Sequence, residues 1–200
     1  MNDVNSEIAM IRRLMQDSQG AVYDGRGHFI LWGSISALGL ALTYAYAVGR
    51  PVPDPRLVWL VGLVLGWSGS VVLGVRGRAR ARVHTHASRL LGWLWISCAA
   101  TMTLIGTAGL FGDVVPVQAL PGVVAAVLAV GVLATGLLTG HAWLRWVAAG
   151  WWAGAAVMLF RPGLYALLLL AAMALLLEVV PGLVLLTRKR AASDVAVDAA

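Results

Sequence analysis

Charge is scarce in this chain, and cysteine is almost absent. Only 12% of the 200 residues are charged, nine of them Asp or Glu, and Cys98 is the single cysteine. One cysteine excludes an intrachain disulfide, and its place inside an apolar run makes it a small packing residue. A soluble domain of this length needs a polar shell. A composition 60% hydrophobic, with mean hydropathy +0.83, does not contain one.

The patterns that carry chemistry are missing too. No two acids share one depth of an apolar run, and there is no His–Glu zinc pattern or Ser–His–Asp arrangement. The glycines are scattered rather than gathered into a phosphate loop. The DGRG at residues 24–27 superficially suggests a phospholipid-synthase signature, but the further aspartates of such a site are absent. A non-enzymatic protein is expected, with no catalytic residue, no cofactor and no metal.

What is present is organised around residues 76–89, RGRARARVHTHASR, with five arginines, two histidines and no acid. In a soluble protein that run would suggest a nucleic-acid patch. Residues 58–75 and 90–111 on either side are each long and apolar enough to cross a bilayer, so the run reads as a cytoplasmic loop. The net charge of +6 then reports orientation and attraction to anionic lipid, with no nucleic-acid partner.

The spacing predicts an all-α chain in three parts: residues 1–27, residues 28–187 and residues 188–200. In the first, residues 5–18 show helical periodicity, with Ile8, Ile11, Leu14 and Met15 on one face. Asn5 or Ser6 can cap this helix, and Glu7 suits its first turn. It is marginal alone, so it lies on the membrane, on its own bundle, or on a partner protein. Acids accompany Arg12 and Arg13 and no apolar core follows until Phe29, so no cleaved signal is expected.

Six spans are expected in the second part: residues 28–48, 57–75, 90–111, 121–139, 143–160 and 164–187. Trp32, Trp93, Trp95, Trp143 and Trp146 sit where interfacial aromatics belong. Gly62, Gly66, Ser70 and Gly74 recur every four residues, a small-residue stripe that admits a neighbouring helix. Gly150 and Gly154 are also four apart. Thr101, Thr103 and Thr107 can bond helical carbonyls. Pro121 falls in a first turn, where its missing N–H does no harm, and Gly140 and His141 make a tight turn. Trp151 and Trp152 lie deeper than a belt and read as packing or lipid contact. The third part holds the basic stop at residues 188–190 and a tail read as disordered.

Counting Lys and Arg tests the orientation. With the N-terminus inside, the inner segments hold twelve and the outer ones three, Arg50, Arg56 and Arg161. Both termini are therefore expected inside. GHFILWG, RLLGWLW and GHAWLRW open the three inward-starting helices. Repeated selection of interfacial Trp accounts for this, as would an ancient duplication.

The run YDGRGHFILWG into the first span, the loop leading to SRLLGWLW, and the ending VVPGLVLLTRKR together resemble a group of uncharacterised bacterial membrane proteins. That likeness covers most of the chain. It implies six helices in the cell inner membrane and no known activity. Such proteins are often encoded beside winged-helix regulators, which implies a stress or envelope role. Glu178 is not part of the shared pattern.

Glu178 is the one acid well inside an apolar span. It lies ten residues before Arg188, roughly 15 Å from the inner boundary. A charged carboxylate at mid-membrane costs about 2.5–3.5 kcal/mol on insertion scales. It is therefore expected to be protonated, to face the bundle interior, or to pair with a cation. Pro181 frees a carbonyl near residue 177, which a Glu178 hydroxyl could bond. The alternatives are a proton- or substrate-coupling site, or a pair with Arg145 or His141. Arg145 can also snorkel to headgroups. His84 and His86 lack further metal ligands beside them, while His28 and His141 suit the inner interface.

The contacts expected for lipid or partner are Arg12, Arg13, Arg76, Arg78, Arg80, Arg82 and Arg89. Function is expected to be that of a membrane subunit or regulatory component contacting a cytoplasmic partner or anionic lipid. The alternative is a small oligomeric transporter or channel using Glu178.

Overall fold

The computed structural model describes residues 27–80, 86–112 and 114–183. Six helical segments occur among them and no strand: α1 (Gly27–Ala47), α2 (Pro55–Arg80), α3 (His86–Leu110), α4 (Leu120–Thr139), α5 (Ala142–Phe160) and α6 (Tyr165–Leu183). All but α5 are long and apolar enough to cross a membrane. Arg145 and four tryptophans lower the hydropathy of α5, although its 19 residues match a span in length. The N-terminal amphipathic helix expected at residues 5–18, and the tail after Leu183, lie outside the described residues.

Helix ends follow local chemistry. Pro121 opens α4, and Gly140 closes it in the left-handed conformation at φ 72°, which a residue with a Cβ resists. The segment read as a loop at residues 76–89 is shorter than expected. Helix α2 continues to Arg80, and α3 begins at His86. Arginine and alanine are good helix formers, and they carry the helix past Gly77 to Arg80.

Neighbouring helices run antiparallel. Gly62, Gly66 and Gly69 of α2 meet Ile35, Trp32 and Leu31 of α1, and Gly39 of α1 meets Trp59. Gly122 and Gly136 of α4 meet Leu159 and Leu144 of α5, while Gly154 and Gly150 of α5 meet Met173 and Leu177 of α6. The small-residue stripe is thus a helix contact, made by α1, except at Gly74, whose surroundings are open. Such residues let backbones approach where lipid removes the hydrophobic incentive to associate.

Helix α4 is the centre. It packs on α3, α5 and α6, with half of its apolar stretch buried against 6% for α2. Small residues on its inner surface (Ala125, Ala129, Gly131 and Gly136) make this possible. Trp151, Met158 and Val132 fill the core between them. Helix α2 shows Leu60, Val64, Leu65 and Val71 outward, as a helix at the lipid boundary does.

Candidate functional site

Four tryptophans hold the first four helices together through their indole N–H groups. Trp32 donates to Ser70 Oγ at 2.9 Å, and Trp59 to Thr43 Oγ1 at 3.1 Å, so α1 and α2 are tied twice. Trp67 reaches Thr103 of α3 at 3.3 Å, and Trp95 reaches Thr135 of α4 at 3.1 Å. Edge-on ring contacts accompany them: Trp32 with Trp67, and Phe29 of α1 with Trp95. Offset by this geometry, the rings add packing as well as hydrogen bonds.

Two of the accepting hydroxyls place their own protons within their helices. Thr43 donates to Gly39 O, and Thr135 to Gly131 O. Thr139 continues the row by donating to Thr135 O. His141 Nδ1 lies 3.1 Å from Thr139 Oγ1. Since the Thr139 proton is already committed, Nδ1 is the donor, which sets the tautomer. A polar ladder therefore runs through the buried side of α4 from Gly131 to His141. Thr135 and Thr139 had no distinguishing signal in sequence. Substituting Thr135 by valine keeps the volume but strands the Trp95 N–H. A loss of about 0.6–1.7 kcal/mol is expected, the range for single bonds between membrane helices. Unfolding in mixed micelles would measure it, and Trp95→Phe in the same background should remove most of the difference.

Glu178 sits on a different feature. Residues Leu175–Val179 of α6 form a π-helical turn in which the Val180 N–H donates to Leu175 O, five residues back. Pro181 has no N–H, and its ring crowds the carbonyl four residues before it. The widened turn relieves that crowding. Glu178 was expected to bond the carbonyl that Pro181 frees. Among the described residues no such bond is present, and the backbone register changes instead.

The Glu178 side chain faces the bundle interior, 4% exposed. It lies against Gly33 of α1, where an added Cβ would come 3.1 Å from Oε2 and 2.8 Å from Val179 Cγ2. Gly33 is therefore required by close approach. It had been visible in sequence only as the end of the GHFILWG opening.

The expected partners are elsewhere. Arg145 is exposed on α5 and His141 is engaged with Thr139, so neither forms an ion pair with Glu178. Among the described residues no three His, Cys, Asp or Glu converge as metal ligands would. The other buried polar group of note is Trp151 Nε1, which has no hydrogen-bond partner among the described residues.

The arginines are sorted by the antiparallel packing. Arg76 lies toward the end of α2, and Arg89 and Arg145 lie in the first turns of α3 and α5, all three exposed at one end of the bundle. Exposed Trp93 and Trp146 share that end. Arg50, Arg56 and Arg161 lie at the other, where Arg56 Nε donates to Leu110 O at 2.9 Å. Arg78 and Arg80 continue α2. Arg82, Arg12 and Arg13 lie outside the described residues. No family model, curated protein or solved structure matches the chain.

Proposed function

We propose that this chain is a non-enzymatic subunit or regulatory component of the bacterial cytoplasmic membrane. In this reading it crosses six times, with both termini inside, and α5 crosses as the fifth span. Its arginine-rich end contacts anionic headgroups or a cytoplasmic protein. The observation that carries the reading is the gathering of Arg76, Arg89 and Arg145, with Trp93 and Trp146, at one end of the bundle. Basic residues with interfacial aromatics mark a cytoplasmic face. The resemblance to bacterial proteins encoded beside winged-helix regulators adds an envelope-stress setting to this proposal.

In-cell crosslinking of the tagged full chain, set against a chain lacking residues 1–20, is the test. An identified partner that disappears on deletion is the expected result. Recovery of self-crosslinked chains alone would overturn the subunit reading.

A second reading is favoured by one observation, the buried Glu178 carboxyl without an ion-pair partner on a π-helical turn. It makes the chain a small oligomeric transporter or channel. Glu178→Gln is then expected to abolish solute or proton flux in vesicles, whereas the subunit reading expects partner binding unchanged by that substitution.

A further inference from the structure

We propose that Glu178 is an exchangeable proton-binding site, held between the π-helical turn of α6 and Gly33 of α1. The inference deepens the transport reading at its one carboxyl, and depends on that reading only for what the proton would drive.

Three observations meet here. First, Glu178 as a residue is 4% exposed, and its carboxyl has no ion pair or hydrogen bond among the described residues. A permanently charged carboxylate in that setting is costly, and a permanently neutral one would be expected to donate its proton to a carbonyl. Second, the described surroundings argue against a metal ion. Gly33 and Val179 supply no side-chain oxygen, and no cluster of ligating side chains lies among the described residues. A metal cation needs several such oxygens, whereas a proton needs only the carboxyl. Third, the site sits where the helix can change. A π-helical turn is a local departure from the α register, of a kind that recurs at functional sites. Here it lies close against Gly33, where an added methyl group would come 2.8 Å from Val179 Cγ2 and 3.1 Å from Oε2.

A second unmet polar group shares the layer. Gly150 of α5 faces Leu177, so the adjacent residues Trp151 and Glu178 lie at nearly the same depth. Trp151 Nε1 is buried without a partner among the described residues. Among the described residues, no titratable group is paired with Glu178. On α1 the nearest titratable side chain is His28. On α5, Arg145 is exposed and His141 is bonded to Thr139. None of these touches the carboxyl.

The test is infrared difference spectroscopy of the full chain in zwitterionic lipid vesicles, taken between acidic and alkaline buffer. The expected result is one component of the protonated-carboxyl absorption, appearing in acid beside that of the other eight Asp and Glu side chains, that is lost in Glu178→Gln and persists in Gly74→Ala. Gly33→Ala should shift its midpoint, because the new methyl group meets Oε2. Identical acid-minus-alkaline spectra for the wild type and Glu178→Gln would overturn the proposal.

If Glu178→Gln does not fold, carbodiimide labelling of the wild type, located by mass spectrometry, replaces it. Labelling at Glu178 several-fold faster in acid than in alkali supports exchange, and labelling absent or independent of pH overturns it. A Glu178 that titrates in vesicles showing no proton flux would end the transport reading and leave the site standing.

Discussion

Substituting Gly122 by valine is expected to destabilise the fold by about 3 kcal/mol, the upper end for overpacking a filled interior. The reason is what lies opposite. A Cβ at this position would come 2.6 Å from Leu159 Cγ and 3.2 Å from the Leu159 backbone N. A side chain can rotate away, but the backbone of α5 can yield only by moving the helix. Helix α4 is packed on three sides, so that movement would also disturb its contacts with α3 and α6. Gly74→Ala is the matched control. Nothing lies within 4 Å of its added Cβ, and replacing a helical glycine there should be neutral or slightly stabilising. Both are measured by denaturing-detergent titration in mixed micelles, read by tryptophan fluorescence. Equal midpoints for the two variants would refute the close α4–α5 contact.

Trp151 gives the second large effect, and the pair of substitutions is more informative than either alone. The residue is fully buried in the core, so Trp151→Ala is expected to cost about 3–5 kcal/mol through the cavity it leaves. Trp151→Phe should cost far less. It removes an indole N–H that has no partner among the described residues, so no hydrogen bond is lost, and part of the desolvation penalty disappears with it. The opposite contrast is expected at Trp95, whose N–H is held by Thr135. If Trp151→Phe destabilised as much as Trp95→Phe, an unseen partner for Trp151 would be required.

Much of the framework was legible because membranes impose simple rules on a chain. Apolar length marked the spans, and Pro121 and Gly140 marked the ends of α4. The four-residue spacing of Gly62, Gly66 and Ser70 marked a helix contact. The extension of α2 to Arg80 was not legible, since arginine suits both a solvated helix and a loop. Nor was the π-helical turn: Pro181 announces a disturbance, but whether the helix kinks, breaks or widens depends on what packs beside it. Glu178 stood out as an acid within an apolar run. Its setting against Gly33 did not, because 145 residues separate the two in the chain.

The helical class, the approximate span ends and the alternation that collects arginines at one end can all be read along the chain. These are properties of single segments meeting lipid and water, and each segment carries its own record of them. Packing, by contrast, makes α4 central and α2 peripheral. It also decides that Trp95 ties α3 to α4, and that Glu178 faces Gly33 rather than Arg145. All six helices are apolar on nearly every side, so hydrophobic periodicity does not choose their neighbours. The choice falls to shape and to a few hydrogen bonds, and these exist only once the helices are packed.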